Sequence, residues 1–366
     1  MTLYVTITAV VVVLAWAADL AGRELRRRQP ANNPGAADTP VRWGLSDVFI
    51  MSVLAGVAGL RFHVGTDYYI YANVFARLDT RDWATSIANS PHEAGYTIFS
   101  LLVKQISPDP SAIILATSVA SVVPIYIAIR RLSGHRALSL LLYIGMGFYF
   151  ISFNQVRQSI AVGLSALAYS YFGKSTWKFI ALNALASAFH VSAIVVPLVQ
   201  LVTATWKLRL RVITLVFAAT AVGGSALTIL ANFADFLNPR YGGYIEEAEV
   251  AGTGTILMAA VRVAIVVVAL LANVKKDLPM DLQRYGVYVA LSAGLILMGF
   301  ISIPVARLEM YFSIYMIFLL PALTARSRHP RLFMCILAIL AIAHMLVYIP
   351  SFNGVLPYQT ENGFQS

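Results

Sequence analysis

Charged residues are scarce in this chain of 366 residues: Asp, Glu, Lys and Arg make up 12% of it, whereas 59% of the residues are hydrophobic. So little charge cannot cover the surface of a soluble globule of this length, and the apolar runs are long enough to cross a bilayer repeatedly. The sequence therefore predicts an all-α, polytopic integral membrane protein. No polar stretch is long enough to fold alone, so we expect a single transmembrane domain over residues 1–366.

Cysteine is almost missing as well, because Cys335 is the only one and it lies within an apolar run. A single cysteine excludes an intrachain disulfide and CxxC-type metal chemistry. The sequence also lacks an HExxH motif, a carboxylate cluster at ligand spacing and a Gly-rich phosphate loop. We therefore expect no metal, no cofactor and no nucleotide hydrolysis.

Basic residues outnumber acidic ones, and the net charge is +10. They form short clusters between apolar runs and no basic face, so nucleic acid is not expected as a partner. Most of them fit cytoplasmic segments under the positive-inside rule. The exceptions, which this rule places outside or within the membrane, are Arg61, Arg77, Arg81, Lys104, Arg157, Arg240, Arg262 and Arg307.

Apolar runs and basic clusters together predict about 12 membrane helices, with the N- and C-termini outside. Residues 3–19 are read as a retained helix, because the arginines follow the apolar run and do not precede it as in a signal peptide. Residues 61–94 and 232–254 are predicted outer-face loops. Residues 95–106 would extend only about 18 Å as a helix, so we expect a re-entrant or interfacial helix there. Further spans are predicted at 44–60, 111–129, 137–153, 212–231, 255–273, 285–303, 308–325 and 332–349. One more follows the stretch around Arg157 and ends near residue 172.

The stretch 179–203 admits two readings. One long helix would place Lys207, Arg209 and Arg211 outside, against the positive-inside rule. Two short helices hinged at His190 return these three charges to the cytoplasm. We favour the hinge, which also puts His190 at the membrane level of Arg157.

Four of the exceptional arginines occupy similar positions at span ends, beside aromatic and polar residues. A guanidinium group is always charged, and its fork of donors matches phosphate oxygens. The four therefore predict binding of a diphosphate; alternatively, each one snorkels to the interface or pairs with a nearby carboxylate. They are Arg61, Arg157, Arg240 and Arg307.

Five motifs resemble the EpsG family, which is similar to Wzy-type polymerases of O-antigen and exopolysaccharide clusters. The string around Arg157 and the downstream Phe-His-x-Ser are fairly specific, and the resemblance extends from about Arg61 to Pro321. The motifs are Gly65-Thr66-Asp67-Tyr68 followed by Tyr71 and Phe75, Glu93-Ala94-Gly95-Tyr96, Phe153-Asn154-Gln155-Val156-Arg157-Gln158-Ser159-Ile160-Ala161, Phe189-His190-Val191-Ser192, and Arg307-Leu308-Glu309-Met310-Tyr311-Phe312.

The resemblance implies a membrane glycosyltransferase that joins glycan repeat units carried on undecaprenyl diphosphate. The reaction would take place at the outer face of the bacterial cytoplasmic (inner) membrane. A chain-length regulator and a flippase of the same pathway are the expected protein partners, together with membrane lipid. Two alternatives stay open: an O-antigen ligase or other polyprenyl-donor glycosyltransferase, and a non-enzymatic polysaccharide export or assembly component.

Such a reaction needs a general base for the acceptor hydroxyl. We favour His190, then Asp67, with Glu93 and His63 as further candidates. Each has a structural alternative: packing between helices for His190, an ion pair with Arg61 for Asp67, and a helix N-terminal charge for Glu93. Glycan contacts are predicted from aromatic and amide side chains, although tyrosines also belt membrane interfaces. These predicted contacts are Tyr68, Tyr96, Asn154, Gln158, Tyr241 and Tyr244.

Overall fold

The computed structural model describes residues 1–27, 43–237, 252–351 and 354–365. Regular structure in these ranges is helical, with isolated β-bridges such as the one between Arg61 and Thr360. The predicted all-α class is therefore confirmed for the described residues.

The chain forms two compact units, one of Met1–Pro197 with Ser327–Ser366 and one of Leu198–Arg326. Helix α11 (Val195–Val202) crosses the boundary between them. The first unit contains α1 (Thr2–Arg27), α2 (Leu45–Gly59), α3 (Tyr68–Arg77), α4 (Trp83–Asn89), α5 (Ala94–Ile106), α6 (Pro110–Leu132), α7 (Arg136–Gly145), α8 (Phe148–Ile151), α9 (Val156–Tyr169), α10 (Thr176–Phe189) and α18 (Pro330–Ser351). The second contains α12 (Leu210–Leu237), α13 (Thr253–Lys276), α14 (Met280–Leu297), α15 (Ile303–Arg307), α16 (Met310–Ser313) and α17 (Met316–Ala325).

Several helices have the length and composition of membrane spans. Large apolar side chains on them are exposed, for example Val274 at 85% and Val347 at 76%, as expected where lipid covers the surface. The protein is thus a helical membrane protein; the count of about 12 helices and the outward placement of both termini stay predictions. Within the described ranges, five helical stretches have the length and composition to cross a membrane: Thr2–Gly22, Pro110–Leu132, Gly254–Lys276, Ile303–Ala325, which contains α15 to α17, and Pro330–Pro350.

The predicted break at His190 is confirmed. Helix α10 ends at Phe189, His190 adopts an extended backbone conformation, and a 3₁₀ turn over Val191–Ile194 leads into α11. The break brings the His190 side chain to the C-terminal end of α10.

Other breaks were not predicted. The expected span 137–153 is interrupted after α7, where Gly147 takes a φ of +89° before α8 begins. The carbonyl of Gly145 at this break accepts a hydrogen bond from Nδ1 of His344 on α18, at 2.8 Å. The expected span 308–325 likewise begins as short helices, because i→i+3 bonds such as Tyr315 N to Phe312 O replace the α-helical pattern. Hydropathy is continuous through both breaks, so it could not reveal them.

The predicted outer loop 61–94 contains the two short helices α3 and α4. Lys104 of α5 caps α3: its Nζ donates to the carbonyls of Phe75, Ala76 and Leu78 at 3.0, 2.7 and 2.7 Å. This contact explains one basic residue that the positive-inside rule did not. Of the other predicted loop, 232–254, α12 takes up the first residues, and 238–251 lie outside the described residues.

A buried ion network joins four helices of the first unit. Asp47 of α2, 2% exposed, accepts hydrogen bonds from Arg136 of α7 and Tyr126 of α6, both at 2.6 Å. Arg136 also pairs with Asp19 of α1 at 3.0 Å, and Arg130 approaches Asp47 at 3.4 Å. Because the opposite charges are paired away from water, the network fixes the relative positions of these helices.

Candidate active site

Three helix ends meet in the first unit and bring three predicted site residues together. Glu93 occupies the N-cap position of α5, Arg157 lies in the first turn of α9, and His190 is the C-cap residue of α10. Glu93 makes no side-chain cap bond to its own helix, so its carboxylate can reach across to the other two.

The carboxylate of Glu93 connects the side chains of Arg157 and His190. Its Oε2 accepts a hydrogen bond from Nη1 of Arg157, and its Oε1 lies 2.7 Å from Nδ1 of His190. These residues form the Arg157–Glu93–His190 cluster. Their side chains keep 17%, 19% and 24% of their surface exposed, respectively, so a substrate can reach them.

Gly95 lets α5 approach α10 closely enough for this contact. A Cβ at position 95 would lie 2.5 Å from the carbonyl oxygen of Ala188, a distance that real Cβ atoms do not show. The obstructing atom is backbone, so the neighbour cannot rotate away. The close approach places Glu93, two residues before Gly95, against His190, two residues after Ala188.

Electrostatics keep Glu93 ionised. Burial alone would raise the pKa of this carboxyl, but the hydrogen bond with His190 and the positive charge of Arg157 outweigh it and lower the pKa to about 2. A carboxylate with so low a pKa is a weak general base. Glu93 is therefore suited to orienting its partners.

A group of aromatic rings packs beside the cluster. The hydroxyl of Tyr71 on α3 hydrogen-bonds with the Arg157 side chain, so α3 also contributes to the site. The rings of Tyr71, His92 and Tyr96 contact one another, with centroid distances of 5.5 Å (Tyr71–His92), 5.2 Å (His92–Tyr96) and 5.8 Å (Tyr71–Tyr96), and Phe189 packs against Tyr96 at 6.5 Å. We call Tyr71, His92 and Tyr96 the aromatic wall.

His92 is a residue that the sequence did not single out. Both of its ring nitrogens are buried without a hydrogen-bond partner in the protein. Burial, together with the nearby charge of Arg157, lowers the pKa of His92 to about 4, so the imidazole is neutral at pH 7. Its position next to Glu93 was the only sequence signal that could have identified it.

The first and third motifs of the sequence also meet. Gly65 has a φ of +93°, and a Cβ there would lie 2.6 Å from Oδ1 of Asn154 and 3.0 Å from the carbonyl oxygen of Phe153. Glycine is required both by this conformation and by the close approach. Asp67 follows as the N-cap residue of α3, one turn before Tyr71, and its Oδ1 accepts from Thr66 Oγ1 at 3.2 Å.

Arg61 is buried, with 3% of its surface exposed. Its guanidinium donates to the carbonyls of Ala58 and Phe153 and to Ser118 Oγ, and it lies 4.8 Å from the centre of the Phe153 ring. These contacts engage both terminal nitrogens, Nη1 and Nη2, of the guanidinium. Arg61 is thus placed to hold the backbone that precedes Arg157.

The predicted glycan contacts in the described part of the chain are buried. Tyr68, Tyr96, Asn154 and Gln158 expose only 4%, 2%, 3% and 4% of their surface. This burial keeps the four side chains away from the protein surface, and direct contact with a glycan stays a prediction. His63, the further base candidate, is exposed and stacks on Phe62 at 3.7 Å.

Arg307 belongs to the second unit. It is exposed at the end of α15, and the nearby Glu309 pairs with Arg262 of α13 at 2.9 Å. Arg262 also donates to the carbonyl of Met258 at 3.0 Å, so this buried arginine is a structural partner of Glu309. The predicted residues Arg240, Tyr241 and Tyr244 lie outside the described residues.

Within residues 1–27, 43–237, 252–351 and 354–365, no three His, Cys, Asp or Glu side chains are grouped so that they could hold one metal ion.

Comparisons with known proteins agree with the motifs. The model of the EpsG family matches residues 45–360, a range that includes α2 to α18 and the whole Arg157–Glu93–His190 cluster. No curated protein and no solved structure gave a match. The family is one of Wzy-like polymerases and glycosyltransferases. Since the match covers most of the chain, the protein belongs to the EpsG family.

Proposed function

We propose that the protein polymerises a polysaccharide by joining glycan repeat units carried on undecaprenyl diphosphate. The observation that carries this proposal is the Glu93 carboxylate, which bonds a guanidinium on one side and an imidazole on the other. A glycosyl transfer of this kind needs a base for the acceptor hydroxyl and positive charge for the diphosphate leaving group. The cluster holds both groups side by side.

His190 is the proposed base. Its Nδ1 faces a carboxylate, so the proton sits on Nδ1 and the lone pair is on Nε2. The acceptor hydroxyl loses its proton to Nε2 while its oxygen bonds to the anomeric carbon of the donor. Glu93 stabilises the imidazolium that forms, in the manner of a carboxylate–histidine pair. Asp67 remains the second candidate.

Arg157 is the proposed diphosphate ligand. As the acceptor oxygen attacks, the bond from the anomeric carbon to the diphosphate oxygen breaks, and the leaving group takes the electron pair. A guanidinium has five N–H donors, and Glu93 engages only part of this fork. Proton uptake by His190 adds positive charge to the cluster at the same moment.

The other arginines that were predicted to bind the diphosphate have two different roles in this proposal. Arg307 and Arg240 stay predicted ligands. Arg61 enters the proposal as the residue that holds Phe153 in place, since backbone and serine oxygens accept its hydrogen bonds.

We further propose that the cluster faces outward from the cytoplasmic membrane, with about 12 membrane helices and both termini outside, as the basic clusters indicate. Single cysteines at the exposed Asn89 and Arg328, introduced after Cys335→Ser, test this arrangement. A membrane-impermeant maleimide should label position 89 in intact cells and position 328 only after lysis. Labelling in the opposite sense would overturn the proposed orientation.

The function is tested by reconstituting the purified protein in liposomes with a purified lipid-linked repeat unit. A ladder of lengthening glycans with release of undecaprenyl diphosphate is the expected result. A single transfer to a different acceptor would identify a ligase or single-sugar transferase instead. Absence of turnover by folded protein would favour the export or assembly component.

A further inference from the structure

Residues 354–365, which follow α18, fold back onto the first unit, and we call them the C-terminal segment. Val355 and Tyr358 of this segment are buried, with 0% and 3% of their surface exposed. The carbonyl of Val355 accepts a hydrogen bond from Tyr4 Oη at 2.9 Å, and Tyr358 Oη donates to the carbonyl of Val57 at 3.0 Å. These contacts anchor the segment on α1 and on the end of α2.

The C-terminal segment also pairs with the backbone of the loop 62–65, where the first family motif begins. The N–H of Phe62 donates to the carbonyl of Gln359 at 2.8 Å, and the N–H of Gly65 donates to the carbonyl of Gly354 at 2.9 Å. Both bonds join backbone groups of distant parts of the chain. The loop is thus held at its two ends by the segment.

His63 lies between these two hydrogen bonds and has a strained backbone. Its φ is +56°, in the left-handed region that is unfavourable for a residue with a side chain. Such a conformation persists only where the surrounding contacts impose it. The bonds at Phe62 and Gly65 impose it here, so the loop should relax when the C-terminal segment is detached.

The loop 62–65 is connected to Arg157 by two routes. Gly65 packs against Phe153 and Asn154, which come shortly before Arg157 in the chain. The loop also leads into α3, where Tyr71 of the aromatic wall hydrogen-bonds with the Arg157 side chain. A relaxed loop would therefore disturb both supports of the guanidinium.

We propose that the C-terminal segment positions Arg157 for diphosphate binding by holding the loop 62–65 in its left-handed conformation. This role rests on the proposed function, in which Arg157 binds the diphosphate of the donor. Gly354, Tyr358 and Gln359 are positioning residues, because they act on the site through the loop.

The first test is hydrogen exchange, followed by mass spectrometry, on the full-length protein in lipid nanodiscs. Tyr358→Ala removes the anchoring ring, so amides in 62–65 should exchange about tenfold faster, which corresponds to the loss of one hydrogen bond. Exchange in 153–158 should rise with it. Tyr358→Phe keeps the ring and should retain most of the protection. Phe364→Ala removes an exposed ring of the same segment and is the matched control, with neither stretch changed.

The second test separates positioning of Arg157 from loss of the fold. Calorimetry with inorganic pyrophosphate gives the Kd and the number of binding sites independently. In Tyr358→Ala the Kd should rise about tenfold or more, the effect of one hydrogen bond to a charged group, at an unchanged number of sites. Partial unfolding would instead lower the number of sites at an unchanged Kd, and that result would overturn the proposal.

A pair of glycine substitutions checks the same role without removing a buried ring. Gly354 has a φ of +68° and faces Thr66, so Gly354→Ala strains the segment where it meets the loop and should also raise exchange in 62–65. Gly363→Ala introduces the same kind of strain at a φ of +81° in open space, and it should leave the loop unchanged.

Two further results would overturn the positioning role: exchange in 62–65 that stays at the wild-type rate in both Tyr358→Ala and Gly354→Ala, or faster exchange there while 153–158 and the Kd stay unchanged. The polymerase function fails separately. A wild-type protein that binds pyrophosphate but builds no glycan ladder removes the polymerase, whereas the exchange rates and the Kd still decide the role of the C-terminal segment.

Discussion

Oε1 of Glu93 lies 2.7 Å from Nδ1 of His190, although the two residues are 97 positions apart in the chain. The contact joins the start of α5 to the end of α10, and Arg157 completes it from the start of α9. A positive side chain at a helix N-terminus is unfavourable with respect to the helix dipole. The negative charge of the Glu93 carboxylate offsets this unfavourable interaction with the helix dipole and holds Arg157 in the site.

Arg157→Lys tests the guanidinium fork. The substitution keeps the charge but cannot pair with Glu93 and a diphosphate in the same geometry, so glycan polymerisation should slow about 10²-fold. The rate is measured with the lipid-linked repeat unit in liposomes. Arg77→Lys, a change at an exposed residue of α3, is the matched control and should be neutral. Near-normal chain formation by Arg157→Lys would remove Arg157 as the diphosphate ligand.

His190→Ala should lower the turnover rate by about 10²- to 10⁴-fold, the usual contribution of a general base. Binding of the lipid-linked donor should persist, because Arg157 and its partner Glu93 remain. Added imidazole should restore part of the rate by entering the space that the side chain leaves. If the variant turns over at the wild-type rate, the base is another residue, with Asp67 next in line.

Acid should destabilise the protein between about pH 6.5 and pH 4. The folded state holds His92 at a pKa of about 4, whereas the unfolded chain has the ordinary value of 6.5. Since the unfolded state binds the proton first, the free energy of unfolding falls as the pH falls through this window. Glu93 extends the loss of stability to lower pH, because the pKa of its carboxyl is about 2 in the folded state and 4.5 in the unfolded chain. Melting temperatures measured against pH should show a shallower slope from 6.5 to 4 in His92→Gln; an identical slope would exclude His92 as the cause.

Gly95→Ala should separate α5 from α10. The added Cβ meets the backbone of Ala188 at 2.5 Å, so the helices must move apart, at a cost of about 1–3 kcal/mol. The melting temperature and the polymerisation rate should both fall, because Glu93 is carried away from His190. Gly56→Ala in α2 is the control: nothing lies within 4 Å of its Cβ, and it should be neutral or slightly stabilising. Equal melting temperatures of the two variants would contradict the close approach.

Asp47→Asn should leave Arg136 and Arg130 without their shared buried carboxylate. Removing one partner of a buried ion pair costs about 3–5 kcal/mol, so we expect a large drop in melting temperature. Asp281→Asn breaks an exposed pair with Arg284 and should cost about 1 kcal/mol or less. Similar losses in the two variants would show that the Asp47 network does not hold the helices together.

The sequence predicted the elements that hydropathy and charge determine. The helical class and the break at His190 follow from apolar runs and from the distribution of Lys and Arg. Breaks inside continuous apolar runs, such as the one at Gly147, depend on φ and on distant partners, and composition does not report these.

Site residues were predictable by type but not by partner. Arg61 and Arg157 have the same chemistry and similar sequence settings, yet one is bonded to backbone carbonyls and the other to Glu93. Only the fold decides between these outcomes, since the partners lie far away in the chain. His92 was missed for a related reason: no residue near it in sequence shows that its ring nitrogens are buried and unpaired.

The hydrogen bond from His344 to the Gly145 carbonyl has a mechanical consequence. A bare carbonyl at a helix break in lipid costs several kcal/mol, so α18 can slide along α7 only by stranding that oxygen. A one-residue insertion between positions 336 and 344 would rotate His344 away and impose this cost. The contact between α7 and α18 therefore has a fixed register, and under the proposed function any motion that admits a lipid-linked glycan takes place along other helix contacts.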